Sequence, residues 1–221
     1  AVATVMLFAK WTPISYTVTF NANGGQGDQM PNQAFTYDSA QKLNPLGYSR
    51  NGYTFDGWAI TANGDKVYDD YQEVSNLTTT AGATVELYAK WTSNTYTVRF
   101  AANGGDGGDQ MADQAFIYDA AQDLTASTYT RTGYTFAGWA TTAEGDVAYT
   151  NGQNVNNLTT TAGATVMLFA KWTPITYTVN FDKNGGDGDQ MADQLFTYDA
   201  AQNLTASTYT RTGYTFAGWD L

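Results

Sequence analysis

The sequence predicts a mainly β protein made of small β-rich modules in tandem, each with at most one short helix. Three phrases recur in the same order along the 221 residues. One of them, G-Y-T-F-x-G-W, begins at Gly52, Gly133 and Gly213, and its tryptophans are spaced by 81 and then 80 residues. Apolar residues alternate with period two inside the phrases, which indicates strands. The nearly constant period indicates a tandem array.

The phrase A-x-A-T-V-x-L-[FY]-A-K-W-T begins at residues 1, 81 and 162 and predicts the first strand. Its odd-numbered residues from Val5 to Trp11 fall on one face, and Lys10 falls on the other. A lysine on a partly wet face is typical of an edge strand protected by charge. We predict core positions for the tryptophans of this phrase, which are Trp11, Trp91 and Trp172.

The phrase Y-T-V-x-F-x-x-N-G-G predicts a second strand, with Tyr16, Val18 and Phe20 facing inward and a glycine turn at its end. Farther along, Asp38 precedes Ser-Ala-Gln and is predicted to cap one or two helical turns, because aspartate is a good N-cap. Residues 12–15 and their counterparts carry no hairpin signal, and we interpret them as short, stiff linkers between modules.

The phrase G-Y-T-F-x-G-W predicts the third strand and the centre of each core, since a small module has few other large side chains to bury. The predicted core residues of this phrase are Trp58, Trp139, Trp219, Tyr53, Tyr134 and Tyr214. We predict a strand of a preceding or partner repeat over residues 1–12. Repeat modules are predicted over residues 13–92, 93–173 and 174–221, and the last of these is shortened.

Composition excludes several classes of function. The formal net charge is −11 and the isoelectric point is near 4.1, which disfavours nucleic acid and anionic membrane surfaces as partners. Cysteine and histidine are absent, so the usual zinc ligands, thiol nucleophiles and histidine-based triads are absent as well. No apolar run is long enough to insert into a membrane.

Two motifs could be interpreted as a metal site or a catalytic site, but a simpler interpretation is favoured for each. Residues 104–109 read G-G-D-G-G-D, which matches the repeat of calcium-binding β-rolls, but those rolls need many such repeats in succession. We predict a hairpin turn there, with no metal and no cofactor. Paired carboxylates beside an aromatic cleft do not recur between copies, so we predict no catalytic residue.

Other motifs carry weaker signals. The triplet N-x-T of glycosylation acceptors occurs at Asn76, Asn157 and Asn203, where a threonine-rich chain produces it by chance. The recurring lysines are weak candidates for intramolecular isopeptide links, and they are Lys10, Lys90 and Lys171. The aromatic residues of G-Y-T-F-x-G-W could instead form a platform on which sugars stack.

The three phrases together resemble the Listeria–Bacteroides repeat, the internalin B-repeat type of bacterial surface module. The resemblance covers essentially the whole chain, with one pass of Y-T-V-x-F-x-x-N-G-G, R-x-G-Y-T-F-x-G-W and L-Y-A-K-W per period. It implies compact β-grasp-like modules displayed in tandem on secreted or wall-attached proteins. The unit is nearer 80 residues than the shorter norm of the family, because of residues 61–80.

The resulting expectation is a non-enzymatic, extracellular stalk or fibre. The alternative function is an adhesin or carbohydrate-binding array that uses exposed tryptophan and tyrosine, and another cell-surface protein remains an alternative partner. Because an A-T-V-x-L strand is in surplus at the start and lacking after residue 221, we expect head-to-tail self-association by strand donation. An arbitrary boundary of the chain, or pairing with the next strand in the same chain, remains open. The predicted donor residues are Thr4, Val5, Leu7, Ala9 and Trp11.

Overall fold

A computed structural model describes residues 2–221, so that Ala1, the first residue of the predicted donor segment, lies outside the described part. The described residues form 14 strands and no helix, which confirms the mainly β fold. The strands are β1 (Ser15–Asn21), β2 (Gln33–Thr36), β3 (Gln41–Lys42), β4 (Tyr53–Ala59), β5 (Glu73–Val74), β6 (Thr84–Ser93), β7 (Thr95–Ala101), β8 (Gln114–Ile117), β9 (Gln122–Asp123), β10 (Tyr134–Ala140), β11 (Asn154–Val155), β12 (Thr165–Pro174), β13 (Thr176–Val179) and β14 (Gln194–Thr197).

The chain divides into two compact units. The first comprises the residues up to Tyr96 together with Ala115–Ala121 and Asn156–Ala164. The second comprises Thr97–Gln114, Gln122–Val155 and Thr165–Leu221. Two short segments of the second repeat therefore pack with the first repeat.

A four-stranded sheet of order β2-β1-β6-β4 forms the centre of the first unit. Strand β6 pairs in parallel with β1 and antiparallel with β4, so it lies in the middle of the sheet. The edge position predicted for the lysine-bearing strand is therefore wrong. The Nζ of Lys90 donates instead to the carbonyl of Gly64, 2.8 Å away in the segment that follows β4. Pairing of the A-T-V strand with the strand that follows it does not occur in the described sheets.

Alternation along the strands builds the core of the first unit. Tyr16, Val18 and Phe20 are buried, which confirms the predicted inward face of β1. The register between β4 and β6 shifts at Gly57, whose φ of +146° and contact with the Tyr68 carbonyl leave no room for a side chain. This bulge is followed by Trp58, which is 0% exposed and packs against Phe20 with ring centroids 5.0 Å apart.

The linker predicted at residues 92–95 is part of the sheet. Thr92 and Ser93 pair with Thr54 and Tyr53 across β4 and β6. Only Asn94 separates the end of β6 from the start of β7. Successive repeats are therefore joined through one residue, with strands on both sides of it.

The helix predicted after Asp38 does not form. Asp38 has a φ of +62°, which belongs to a left-handed turn and not to a helix N-cap. The short strand β3 follows and pairs with β5. The turn is stabilised by a residue that is distant in the sequence, because the backbone N–H of Asp38 donates to Oδ1 of Asn76 at 2.6 Å.

The second unit repeats the arrangement around β12. That strand pairs in parallel with β7 and antiparallel with β10, with the same shift of register before Trp139. In the third repeat, β13 pairs with β14, and Phe181, Met191 and Tyr209 form a small core against which Trp219 packs. Residues 213–219 form no strand, although the sequence predicts one. In the other copies, the partner of this segment is the A-T-V-x-L strand, and the described part of the third repeat contains none.

Residues 2–14 form no strand either. Val5, Leu7 and Phe8 are exposed, and Trp11 is 87% exposed. The strand predicted at residues 4–11 and the core position predicted for Trp11 are therefore wrong for the single chain. An extended segment without a partner leaves its backbone groups to water, and nothing holds its side chains in a core.

Candidate interaction site at the junctions between repeats

The first junction lies in the first unit, where the turn before β4 meets the turn after β8. A relay of backbone hydrogen bonds connects the two turns. The N–H of Asn94 donates to the carbonyl of Gly52 at 2.9 Å, and the N–H of Tyr118 donates to the carbonyl of Asn94 at 2.8 Å. Asn94, which lies between β6 and β7, thus binds the first repeat through its N–H and the second repeat through its carbonyl.

Close packing at this relay requires a glycine. Gly52 has a φ of +77°, a conformation that favours glycine. A Cβ added to Gly52 would lie 2.3 Å from Cδ1 and Cε1 of Tyr118. The tyrosine ring therefore lies directly against the backbone of the preceding repeat.

Tyr53 adds polar and aromatic contacts to the same junction. Its hydroxyl donates to Oδ2 of Asp119 at 2.7 Å, and its ring meets that of Tyr118 edge to face at 5.8 Å between centroids. The guanidinium carbon of Arg50 lies 3.8 Å from the centroid of the Tyr53 ring, a cation–π geometry. Arg50, Gly52 and Tyr53 thus present one continuous surface to the next repeat.

The accepting carboxylate is held in place by its own repeat. The N–H of Asp119 donates to Oδ1 of Asn157 at 2.6 Å, and Nδ2 of Asn157 donates to Oδ1 of Asp119 at 2.7 Å. This leaves Oδ2 for the hydroxyl of Tyr53. Hydrogen bonds from Tyr53 and then Asn157 lower the pKa of Asp119, and the charge of Arg50 lowers it further.

The side-chain amide of Asn94 has hydrogen-bond partners for both its oxygen and its nitrogen, although the residue is only 9% exposed. The hydroxyl of Thr54 donates to its Oδ1 at 2.6 Å, and its Nδ2 donates to the carbonyl of Thr160 at 2.8 Å. Thr54 belongs to the first repeat and Thr160 to the second. The buried amide therefore links the two repeats through its side chain as well as its backbone.

Acidification is expected to loosen the first junction. The folded pKa of Asp119 is lowered, so its contribution to stability is present above the unfolded pKa, which is about 3.9. It is lost as the pH falls through the folded pKa. As the pH falls from about 5 to about 2, the melting temperature of the wild type should fall more steeply than that of Asp119→Asn. Asp28→Asn, at an exposed aspartate, is the matched control. Equal slopes for the wild type and Asp119→Asn would contradict this assignment.

The second junction lies in the second unit and repeats these contacts. Ile175 donates its N–H to the carbonyl of Gly133 at 2.9 Å and accepts from the N–H of Tyr198 at 2.9 Å. A Cβ on Gly133 would lie 2.3 Å from Cδ1 of Tyr198. Tyr134 donates its hydroxyl to Oδ2 of Asp199 at 2.9 Å, and this bond raises the pKa of Tyr134.

The six predicted core tryptophans differ in burial, and Trp11 is exposed as described above. Trp58 and Trp139 are 0% exposed, so their faces are closed to a sugar, and their indole N–H groups have no hydrogen-bond acceptor among the described residues. Trp91 and Trp172 are half-buried, and their indoles donate to the carbonyls of Ala22 and Ala102. Trp219 is half-buried beside Phe181.

The tyrosines of G-Y-T-F-x-G-W are not in the cores. Tyr53 and Tyr134 lie in the junctions, and Tyr214 is 68% exposed. The sequence contained a signal for this role, since each tyrosine follows R-x-G and a Tyr-Asp pair recurs at residues 37–38, 118–119 and 198–199. Two of the N-x-T asparagines, Asn76 and Asn157, bind the aspartate of such a pair.

The aspartate in the G-G-D-G-G-D turn, Asp106, bonds to backbone of the same chain. The carboxylate of Asp106 accepts the N–H of Thr132 at 2.9 and 3.0 Å, and this bond lowers the pKa of Asp106. Across residues 2–221, no group of three acidic side chains is arranged to hold a metal ion. The described residues also include no helix that is long and apolar enough to cross a membrane.

The fold and the junctions define a tandem array of small β repeats, and the comparisons with known proteins identify the repeat. The sequence model of the Listeria-Bacteroides repeat domain matches residues 16–90, 96–171 and 177–221. The chain belongs to this family, which confirms the resemblance of its three phrases.

Two longer relatives come from Evansella cellulosilytica. One, named "Putative membrane protein", is 29% identical over 218 residues, which are 98% of this chain and 30% of the relative. The other, named "Putative Gly-rich membrane protein", is 27% identical over 208 residues, which are 92% of this chain and 23% of the relative. The chain therefore spans less than a third of each of these relatives.

Proposed function

We propose that this chain is a non-enzymatic, structural spacer of a cell-surface protein, in which successive repeats are locked to one another. The observation that carries the proposal is the repetition of one set of contacts at both junctions. A backbone relay, a glycine against a tyrosine ring and a Tyr-to-Asp hydrogen bond occur in each. A repeat that served only as an independent binding domain would not need its neighbour held in this way.

The connection between repeats supports a stiff spacer. A flexible linker is typically rich in glycine and serine and many residues long. Here, Asn94 alone connects β6 to β7, and its side chain and backbone are bonded to both repeats. Bending at this point requires the loss of several hydrogen bonds together.

Family and relatives support the surface location. The Listeria-Bacteroides repeat occurs here in three tandem copies, and both relatives are named as membrane proteins. The net charge of −11 favours a soluble and well-separated segment over one that adheres to nucleic acid or anionic lipid.

A distance measurement across the first junction tests the stiffness. The chain has no cysteine, so Asn63→Cys and Ala120→Cys place two spin labels at exposed sites of successive repeats. We expect a single narrow distance distribution, which Tyr118→Ala should broaden because it removes the ring against Gly52. Thr36→Cys with Ala40→Cys, at exposed sites within the first repeat, is the control pair. A broad distribution in the doubly labelled wild type would refute a stiff junction.

We further propose that the chain associates head to tail by strand donation. Residues 4–13 read T-V-M-L-F-A-K-W-T-P, which is identical to β12, and their apolar side chains are exposed. Strand β12 lies between β7 and β10. The third repeat offers close equivalents of both neighbours, since residues 214–219 are identical in sequence to residues 134–139 and β13 repeats the T-Y-T-V of β7.

In the proposed assembly, residues 4–13 of one copy enter the third repeat of another, between β13 and residues 214–219. A heterologous contact of this kind propagates as a filament wherever its rotation does not close a ring. Deleting residues 1–12 should abolish polymers in sedimentation velocity while circular dichroism shows that the monomer remains folded. Leu7→Ala is a milder variant, and Leu7→Met is its control. A chain that stays monomeric with or without residues 1–12 would rule out donation.

A further inference from the structure

The first and last strands of the first repeat lie side by side and run in the same direction. Strand β1 pairs in parallel with β6 over five residue pairs, which join residues 17–21 to residues 84–88. A further backbone bond extends this ladder at its start, where the N–H of Gly82 donates to the carbonyl of Ser15 at 2.8 Å. The parallel contact therefore covers the whole length of β1.

The direction of these strands determines how tension acts on the repeat. The chain enters the repeat at Ser15, where β1 begins, and leaves it after Ser93, where β6 ends. Because the strands are parallel, these two points lie at opposite ends of the pair. A pull between them slides β1 along β6, so that the evenly spaced hydrogen bonds of the ladder share the load. A pull on two neighbouring ends would instead break the bonds one after another.

Two side chains extend the contact beyond the end of β1. The indole N–H of Trp91, on β6, donates to the carbonyl of Ala22 at 2.9 Å. The Nδ2 of Asn23 donates to the carbonyl of Ala89, also on β6, at 2.9 Å. Ala22 and Asn23 directly follow β1, so sliding of β1 along β6 must break these bonds as well as the ladder.

The second repeat contains the same arrangement. Strand β7 pairs in parallel with β12 over five residue pairs. The N–H of Gly163 donates to the carbonyl of Thr95 at 2.8 Å, and the indole N–H of Trp172 donates to the carbonyl of Ala102 at 3.1 Å. Only Asn94 lies between β6 and β7, so tension that leaves the first pair enters the second pair without slack.

We propose that each of the first two repeats bears tension along the chain through the parallel pairing of its first and last strands. This inference rests on the proposed role as a spacer of a cell-surface protein, because a spacer held at both ends transmits any pull on them. It adds a further function, which is to keep the length of the spacer constant under tension. Antiparallel pairing of the same two strands would place both attachment points at one edge, where the pair yields by peeling.

Two pulling geometries on the full chain test this proposal in optical tweezers. The chain has no cysteine, so Ser15→Cys with Thr95→Cys attaches handles at exposed sites on either side of the first repeat. Ser15→Cys with Thr84→Cys attaches them at one edge of the β1–β6 pair and is the matched control. The released length, at most about 3.6 Å for each residue between the handles, identifies unfolding of the first repeat.

We expect a several-fold higher unfolding force between residues 15 and 95 than between residues 15 and 84, at the same loading rate. The same ladder breaks in both geometries, but its bonds share the load only in the first. Forced unfolding reports the rate of unfolding and not the equilibrium stability, which is identical for the two attachments apart from the handles. Equal forces, or a higher force between residues 15 and 84, would overturn the proposal.

Trp91→Phe tests the side-chain contact, because it keeps a ring and removes the donor to Ala22. It should lower the unfolding force between residues 15 and 95 and leave the force between residues 15 and 84 unchanged, since peeling begins at the other end of the pair. Trp172→Phe, the same change in the second repeat, is the control and should alter neither force. Equal lowering of both forces by Trp91→Phe would mean that the contact only stabilises the repeat, and would overturn its part in bearing tension.

Failure of this inference can be distinguished from failure of the proposed spacer. A broad distance distribution between spin labels at residues 63 and 120 would refute a stiff junction, whereas the two forces within the first repeat would still differ. Equal forces in the two geometries would overturn the role in bearing tension, whereas the distance distribution across the junction would stay narrow.

Discussion

Trp139→Ala is expected to unfold the second repeat or leave it barely stable. The side chain is 0% exposed, and its ring lies 4.8 Å from that of Phe100, 5.0 Å from that of Phe136 and 6.3 Å from that of Tyr129. Truncation removes the contacts of the largest side chain in this core and leaves a cavity, at a cost of about 3–5 kcal/mol. Whole domains have only about 5–15 kcal/mol of stability, so the loss is a large fraction of the total.

Chemical denaturation followed by tryptophan fluorescence and circular dichroism measures this loss. Trp11→Ala is the control for truncation of a tryptophan outside the core, because Trp11 is 87% exposed; it should change stability by less than about 0.5 kcal/mol. Trp139→Phe should be milder than Trp139→Ala, because the indole N–H of Trp139 has no acceptor among the described residues. A Trp139→Ala protein as stable as Trp11→Ala would contradict the placement of this side chain at the core.

The sequence predicts the strands well because their local pattern is strong. Tyr16, Val18 and Phe20 alternate with threonines, and the structure buries all three. Period-two alternation, however, does not reveal which strand pairs with which. β6 pairs in parallel with β1, more than 60 residues earlier in the chain, and the lysine that suggested an edge is satisfied by a carbonyl of the segment after β4. Both facts depend on long-range contacts that no local window contains.

The junctions show a different limit of sequence reasoning. Their residues recur at every period, but the recurrence of Tyr53, Tyr134 and Tyr214 in the same phrase as a tryptophan also fits a core position. Asp38 likewise fits a helix cap until its partner Asn76, 38 residues away, is known. A repeated residue can serve the inside of a module or its contact with the next, and the sequence pattern is the same for both.

Gly133→Val and Gly213→Val form a pair that isolates the contact between repeats. The ten residues around the two glycines are identical, and their φ angles are +76° and +82°. Valine at such a φ costs about 1–3 kcal/mol at either position. At Gly133 the new side chain must also displace the ring of Tyr198, which lies 2.3 Å from the added Cβ, whereas at Gly213 it meets nothing within 4 Å. Overpacking of this kind adds about 1–3 kcal/mol.

Thermal unfolding of the two variants, measured at low protein concentration so that self-association does not contribute, should therefore differ. Each additional kcal/mol lowers the melting temperature of a domain of this size by roughly 4–8 °C, so Gly133→Val should melt clearly below Gly213→Val. The local sequence and the glycine φ are matched, so the two sites differ in the ring of Tyr198 beside Gly133 and in the pairing of β10 with β12, which residues 213–219 lack. Equal melting temperatures would mean that Tyr198 moves aside at no cost, and a junction that yields so easily would not hold a spacer stiff.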